Sequence, residues 1–208
     1  MKGKFITFEG CEGVGKSTQV ALLKNYLEET NQDCLFLREP GGNEISEKIR
    51  NIILDTKNEG MVPRCEVLLY CAARAQLVNE VIKPALDSGK LVICDRFIDS
   101  TFAYQGVAGK LGAELVENLN DCACGDVIPN LTIFLDLSPK EAFARKGGAD
   151  LNDRMEMKGM EFHNDVYKGY KLAQERHPER IVSFNVLGTK YETQEKIREY
   201  LKTNGYIK

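Results

Sequence analysis

The 208-residue sequence has no tryptophan, only two histidines, and no long run of apolar residues. A membrane-spanning helix needs about 20 consecutive apolar residues. The apolar run near the N-terminus is also too short for the central region of a signal peptide. We therefore expect a cytoplasmic protein that has no membrane partner.

An excess of positive charge is also missing, because 31 acidic residues stand against 28 basic ones and the net charge is -3. Proteins that bind nucleic acid usually carry surplus lysine and arginine, which neutralise the backbone phosphates. We therefore expect no nucleic-acid partner. A small phosphorylated ligand held by a local cluster of basic residues remains compatible with this composition.

The scarcity of histidine bears on the seven cysteines. Cys122 and Cys124 form a C-x-C pair, but zinc sites usually need a second pair or histidines at set spacings. His163 and His177 do not supply them. The cysteines at positions 11, 34, 71 and 94 stand among apolar neighbours, which is typical of small buried side chains. A metal–thiolate site is therefore not expected.

Short β-branched and aromatic segments alternate with longer segments of helical period. The predicted strands are 4–8, 34–37, 91–94, 131–135 and 181–184. Helices are predicted at 17–29, around the isoleucines of 45–53, and at 66–86, where Gly89 ends the last of them. Strands separated by helices predict an α/β protein whose parallel five-stranded sheet is flanked by helices on both faces.

Residues 146–154 interrupt this alternation with a polar, glycine-containing stretch between two helical segments. Such a segment is typical of a mobile loop. We expect a single domain spanning 1–208, with a short lid at about 146–154.

Residues 10–17, GCEGVGKS, match the phosphate-loop pattern G-x-x-x-x-G-K-[ST] without a mismatch, between a predicted strand and a predicted helix. Backbone N–H groups of such a loop surround phosphate oxygens at the positive end of the helix. Lys16 can reach the β- and γ-phosphates, and the Ser17 hydroxyl suits Mg²⁺. The predicted ATP-binding residues are Gly10, Cys11, Glu12, Gly13, Val14, Gly15, Lys16, Ser17 and Thr18.

The phosphate loop alone occurs in GTPases, ATPases, motor proteins and kinases. Asp95 and Arg96 narrow the choice, because they follow the buried strand 91–94, and ligands bind beyond the carboxyl ends of parallel strands. Asp95 would hold Mg²⁺ or its water, and Arg96 would neutralise a phosphate between donor and acceptor. The alternative is an exposed ion pair at a strand end. Asp136 also ends a strand, but there the structural interpretation is favoured.

Four further segments carry a family resemblance: REPGG at 38–42, YCAAR at 70–74, DRFIDSTFAYQG at 95–106 and NDRME at 152–156. Together with the phosphate loop, they resemble bacterial thymidylate kinases over nearly the whole chain. The resemblance implies the P-loop NTPase fold and transfer of the γ-phosphoryl of ATP to dTMP with Mg²⁺, giving dTDP and ADP in dTTP synthesis. It also implies a homodimer, for which the apolar-striped helix from Glu66 offers a surface.

Several residues are candidates for binding the acceptor. Tyr70 and Arg74 lie four apart on one helical face, so a ring could stack on a base while an arginine donates to thymine O4. The alternative is a core aromatic beside a salt-bridged surface arginine. The resemblance implies that Arg38, Arg50 and Arg96 contact the acceptor's phosphate and that Ser100, Thr101 and Gln105 make polar contacts near the base. It also implies that Tyr104 excludes a ribose 2'-hydroxyl. Glu12 would contact the 3'-hydroxyl or a Mg²⁺-bound water. Ordinary surface charge is a stronger alternative for Arg50 than for Arg38, and Tyr104 is equally compatible with a core position.

The resemblance further implies that an arginine of the phosphate loop or of the lid stabilises the transferring phosphoryl group. Residues 11–14 contain no basic residue, which leaves the lid. Its candidates are Arg145, Lys146 and Arg154, with Arg145 ranked ahead of Arg154 because acidic neighbours favour an ion pair for the latter. The predicted catalytic set is Lys16, Asp95, Arg96, Arg145 and Arg154.

Two other classes of protein with a phosphate loop are alternatives. A kinase for a different nucleoside monophosphate would share the phosphate loop and the lid, but should lack the Tyr70–Arg74 pair and the 100–105 pattern. A switch GTPase would need a guanine-reading N-K-x-D segment, and this chain contains none.

Overall fold

In the computed structural model, which describes residues 3–147 and 153–208, the strands form one parallel sheet in the order β2-β3-β1-β4-β5. The strands are β1 (Phe5–Glu9), β2 (Cys34–Arg38), β3 (Leu91–Asp95), β4 (Leu131–Asp136) and β5 (Ile181–Asn185). Each predicted strand is confirmed to within one residue at either end. Their β-branched and aromatic residues suit a sheet buried on both faces.

The helices connect and cover these strands. They are α1 (Lys16–Glu29), α2 (Glu44–Leu54), α3 (Pro63–Leu77), α4 (Lys83–Asp87), α5 (Ile98–Thr101), α6 (Ala113–Cys124), α7 (Pro139–Lys146), α8 (Gly159–Arg176) and α9 (Lys190–Thr203). Segments of π-helix lie at Val78–Ile82 and Phe102–Ala108, and short 3₁₀ turns at Thr56–Asn58 and Glu156–Lys158.

The predicted helix 66–86 was wrong in two respects. It begins earlier, at Pro63, because proline has the φ angle of a first helical turn and needs no hydrogen bond there. It is also divided by the π segment Val78–Ile82 between α3 and α4. Pro84 lacks an N–H and cannot continue the regular ladder, which accounts for a local change in hydrogen-bond spacing.

The two faces of the sheet are buried under different helices. Ile6 and Phe8 of β1 belong to a core that includes Leu23 of α1 and Ile197 of α9. Phe5, which points to the opposite face, belongs to a second core with residues of α3. The prediction of helices on both faces is therefore confirmed.

The register of the strands brings distant sequence motifs to one edge. Phe8 pairs with Asp95 between β1 and β3, and Arg38 pairs with Asp95 between β2 and β3. Since parallel strands end at the same edge, the phosphate loop, the REPGG segment and the Asp95–Arg96 pair follow neighbouring strand ends.

The predicted lid falls mostly on residues 148–152, which lie outside the described residues, so a single domain with a lid at about 146–154 stays a prediction. Within 3–147 and 153–208, no helix is both long and apolar enough to cross a membrane.

Candidate active site

A cleft of about 500 Å³ opens where the strands end. Most of the predicted site residues line it: Glu12, Gly13, Gly15, Lys16, Ser17, Thr18, Arg38, Arg50, Tyr70, Arg74, Asp95, Arg96, Ser100, Thr101, Tyr104, Gln105 and Arg145. Four do not, namely Gly10, Cys11, Val14 and Arg154. The side chains of Cys11 and Val14 are buried in the hydrophobic core, so they attach the loop to the core.

The phosphate loop is held close to α7. Gly13 has a φ of 77°, and a Cβ atom there would lie 2.5 Å from the carbonyl oxygen of Ala142. Only glycine satisfies both the left-handed backbone and this approach. The side chain of Lys16 is buried and donates to the carbonyl oxygens of Gly10 (2.9 Å) and Cys11 (2.8 Å). Burial, followed by the charge of Arg96, lowers the pKa of Lys16.

Ser17, in the first turn of α1, contacts Asp95 at the end of β3. The Ser17 hydroxyl donates to Asp95 Oδ2 at 3.1 Å. The other carboxylate oxygen, Oδ1, is buried and accepts no hydrogen bond within residues 3–147 and 153–208. A hydroxyl and a carboxylate with a free lone pair thus lie together beside Lys16.

Arg96 forms the centre of a charged cluster. One guanidinium nitrogen, Nη2, donates to Glu12 and to the Tyr104 hydroxyl (3.3 Å), and Tyr104 donates to Glu12 at 3.0 Å. Burial opposes ionisation of Glu12, but the charges of Arg96 and Lys16 lower its pKa to about 2. The carboxylate within the phosphate loop is therefore compensated by two cations and does not repel a phosphate as a lone charge would.

Glu9 and Tyr170 are additional members of this cluster and are not among the predicted site residues. Glu9 is fully buried and accepts hydrogen bonds from Ser100 and Tyr170, which Arg96 also contacts. A carboxylate ending an otherwise apolar strand was an available signal for Glu9. Tyr170 lies on α8, with no local motif around it, and only the fold brings it here.

The far end of the cleft contains a buried arginine. Arg74 is 1% exposed and donates to Glu39 (2.8 Å), Asn120 (2.7 Å) and Thr101 (2.9 Å). Tyr70, one helical turn before it on α3, is half-buried and also lines the cleft. Arg74 is thus ion-paired, as the alternative expected, but it is buried in the cleft wall and not at the surface.

Two further arginines meet at the REPGG segment. Arg38 donates to Glu47 (3.0 Å), and both Arg38 (2.9 Å) and Arg50 (3.0 Å) donate to the carbonyl oxygen of Pro40. Contrary to expectation, Arg38 is the more exposed of the two and Arg50 is half-buried. Their convergence on one carbonyl places two positive charges at the same wall of the cleft.

The basic residues flanking the lid occupy three different environments. Arg145 is exposed and donates to the carbonyl oxygens of Val186 (2.6 Å) and Leu187 (3.2 Å). Lys146 pairs with Glu156 at 2.5 Å, and both line the cleft.

Arg154 is 6% exposed, and within residues 3–147 and 153–208 it does not pair with the adjacent acids. It donates to the carbonyl oxygen of Ile53 (2.8 Å) and pairs with Glu66 of α3 (2.7 Å). Glu66 also accepts from Gln105 at 2.8 Å and pairs with Lys158 at 3.1 Å. Arg154 therefore lies in a buried network behind the cleft wall.

A phosphate loop at one end of a cleft, with buried polar and arginine side chains at the other, defines a P-loop kinase for a small phosphorylated acceptor. Comparisons with known proteins narrow the class. The family model described as thymidylate kinase matches residues 8–204.

Individual relatives agree. A thymidylate kinase of Finegoldia magna is 52% identical over 179 residues, covering 85% of this chain and 88% of the relative. One of Caldanaerobacter subterraneus is 45% identical over 206 residues, covering 97% and 98%. The crystal structure of thymidylate kinase from Ehrlichia chaffeensis matches with a TM-score of 0.80 and 32% identity, covering 97% of this chain and all of that one.

The chain belongs to the thymidylate kinase family. It is therefore a nucleoside monophosphate kinase with the P-loop NTPase fold. The predicted family, fold class and enzyme class are confirmed.

Proposed function

We propose that this chain transfers the γ-phosphoryl group of ATP to thymidine monophosphate, with the cleft residues in the roles set out below. Membership of the thymidylate kinase family supports the reaction directly. The observation that carries the residue roles is that the phosphate loop and the predicted acceptor residues line one cleft.

The donor end suits a triphosphate and its ion. Ser17 and Asp95 would hold Mg²⁺, since hydroxyl and carboxylate oxygens are the ligands it prefers and Asp95 Oδ1 has no other partner within 3–147 and 153–208. The ion would supply positive charge to neutralise the charge that develops on the transferring phosphoryl group. The backbone of the phosphate loop and Lys16 hold the same phosphates from the protein side.

The transfer itself asks the protein mainly to position the reactants and to neutralise charge. The acceptor is already an ionised phosphate, so no general base is required. Arg96 lines the cleft between the phosphate loop and the acceptor end, which suits a contact with both phosphates. Arg38 and Arg50, which both donate to the carbonyl oxygen of Pro40, add positive charge for the acceptor's phosphate.

The acceptor's nucleoside lies, in this proposal, between Tyr70 and the π segment of 102–108. Tyr70 stacks on the base, while Arg74, Ser100, Thr101 and Gln105 provide polar contacts. Tyr104 is 5% exposed and bonded to Glu12, so its ring forms a fixed wall beside the sugar. A fixed wall of this kind excludes an added hydroxyl by its volume.

The lid supplies the remaining positive charge when it closes over the phosphates and excludes water. Arg145 lines the cleft and Arg154 does not, which supports ranking Arg145 first. The homodimer and the cytoplasmic location expected from the sequence stay predictions.

A coupled assay of ADP release against a panel of nucleoside monophosphates tests the proposal. We expect thymidine monophosphate to be phosphorylated well above the uridine, cytidine, adenosine and guanosine monophosphates. Turnover of any of those four at an equal or higher rate would overturn the substrate assignment. Omitting Mg²⁺ from the same assay should abolish ADP release, and undiminished activity would remove Ser17 and Asp95 from their role.

A further inference from the structure

Glu9 is a fully buried carboxylate that does not line the cleft. Its Oε1 accepts the backbone N–H groups of Phe97 (2.7 Å) and Ser100 (3.3 Å). Its Oε2 accepts the hydroxyls of Ser100 (2.6 Å) and Tyr170 (3.0 Å). Burying a carboxylate is costly unless its oxygens are fully hydrogen-bonded, as they are here. None of the roles proposed above uses this group.

The same two hydroxyls meet Arg96. Its Nη1 donates to Ser100 Oγ at 3.1 Å and to the Tyr170 hydroxyl at 3.0 Å. A hydroxyl has one proton to donate and lone pairs to accept with. When each proton is directed to Glu9, the lone pairs are left facing the guanidinium.

The backbone of Arg96 also depends on this arrangement. Its φ of 71° lies in the left-handed region, which a residue with a side chain seldom occupies. The next N–H, that of Phe97, is bound by Glu9, while the N–H of Arg96 itself is bound by the Phe8 carbonyl at 2.9 Å. Glu9 therefore contacts groups that position both the backbone and the side chain of Arg96.

We propose that Glu9 is a positioning residue for phosphoryl transfer: its carboxylate orients the Ser100 and Tyr170 hydroxyls so that their oxygens hold the Arg96 guanidinium toward the cleft. The inference builds on the proposed function, in which Arg96 neutralises the phosphates of donor and acceptor. Glu9 itself touches neither substrate.

Glu9→Gln isolates the orienting effect from the structural one. The glutamine oxygen can replace Oε1 and accept the two backbone N–H groups, but its NH₂ group then faces the hydroxyls as a donor. We expect kcat with thymidine monophosphate to fall by about tenfold, the loss typical of one charge-assisted hydrogen bond. KM for ATP should change by less than about twofold, because the contacts of Lys16 are untouched.

A double-mutant cycle with Tyr170→Phe tests the path through the hydroxyl. The substitution should lower kcat about threefold or more in the wild type, but less than about twofold in the Glu9→Gln background. Tyr167→Phe is a matched control on the same helix, because that hydroxyl donates to Asp136 at 2.8 Å. Its effect should be equal in both backgrounds. If Tyr170→Phe lowers kcat by the same factor in the wild type and in the Glu9→Gln background, the proposal is wrong.

The pH profile gives a readout that a purely structural role would not change. Burial, and next the charge of Asp99, raise the pKa of Glu9 to about 7, against the lowering effect of Arg96. Arg180, Tyr170 and Cys94 are the other titratable groups facing it. Protonated Glu9 resembles glutamine, so the ratio of wild-type to Glu9→Gln kcat should be near one below about pH 6 and rise through about pH 7.

Titration of the substrates cancels in this ratio because both enzymes share them. A ratio that stays flat across pH 5.5–8.5, a range about one and a half units either side of that pKa, would contradict the orienting role. These outcomes are separable from the proposed function itself, which fails only if wild-type enzyme does not prefer thymidine monophosphate in the panel assay.

Discussion

At the scale of single residues, Glu12 and Arg74 each form an ion pair in the cleft with a residue distant in sequence. Glu12 is balanced by Arg96 and Lys16, and Arg74 by Glu39. A substitution in this cleft therefore changes the partner as well as the residue replaced, so a test needs a readout of folding beside the readout of rate.

Lys16→Ala should lower kcat at least ~10²-fold, as expected when a preorganised charge on the transferring phosphoryl group is lost. Lys24→Ala on the same helix is the matched control, because Lys24 is exposed and pairs only with Glu28 within the described chain, at 3.8 Å. Steady-state kinetics at saturating substrates give kcat, and circular dichroism checks the fold. Near-normal turnover of a folded Lys16→Ala enzyme would exclude Lys16 from the mechanism.

Tyr104→Ala should relax discrimination against ribose, because removing the ring opens the space that a 2'-hydroxyl needs. We expect the ratio of kcat/KM for thymidine monophosphate to that for its ribo-analogue to fall by about tenfold. Tyr104→Phe keeps the ring and loses only the hydroxyl, with its bonds to Glu12 and Arg96, so its ratio should stay close to that of the wild type. An unchanged ratio in the alanine variant would assign Tyr104 to the core alone.

At the scale of elements, α3 joins the acceptor end of the cleft to the segment that follows the lid. Tyr70 and Arg74 line the cleft, while Glu66 on the same helix binds Arg154, Lys158 and Gln105. Residues at helical spacing on one element therefore lie at both the predicted base site and the residues that follow the predicted lid.

Arg145 and Arg154 are the arginines near the two ends of the predicted lid. Arg145→Ala and Arg154→Ala should each lower kcat more than they weaken ATP binding, and at least one should lower kcat by ~10²-fold or more. Charge that arrives only on closure stabilises the transition state more than the separated substrates. If both variants keep the wild-type kcat, the lid does not carry a catalytic arginine.

Thermal unfolding separates the two arginines. Arg154 and Glu66 form a buried pair, so Arg154→Ala should also cost about 3–5 kcal/mol of folding free energy. Arg145 is exposed, and its replacement by alanine should leave the midpoint temperature of unfolding nearly unchanged. ATP affinity is measured separately, by calorimetry, for each variant.

At the scale of the whole molecule, exposed apolar residues gather on three helices that pack together. Leu68 of α3 is 54% exposed, and Ile45 and Ile52 of α2 and Leu115 of α6 are also exposed. Both α2 and α6 pack against α3. Exposed apolar side chains on helices that pack together suit the predicted homodimer.

Leu68→Glu should therefore shift the protein from dimer to monomer at micromolar concentration, because a carboxylate would be buried at the interface. Leu172→Glu is the control, since Leu172 is also exposed but lies on α8 rather than on α2, α3 or α6. Sedimentation velocity measures the molar mass of each variant. A wild-type monomer, or a Leu68→Glu dimer of unchanged stability, would contradict the use of this surface.

The sheet, the phosphate loop, the family and the reaction could be predicted from the sequence, and the fold class, the family and the reaction are confirmed. These features are encoded locally: residues 5–29 form a strand, a loop and a helix in one continuous stretch, and the apolar period of each strand is visible within five residues. Family motifs are likewise short and contiguous, so they identify which residues enter the cleft without any knowledge of packing.

Which charged and polar groups pair with one another could not be predicted and follows from the fold. Glu9 and Tyr170 are 161 residues apart in the chain, and Arg154 finds Glu66 rather than its neighbouring acids. Such pairings depend on the crossing of helices over the sheet and on the burial that removes competing water, neither of which leaves a local pattern. The sequence thus indicates which side chains can do the chemistry, and the fold determines what holds each of them in place.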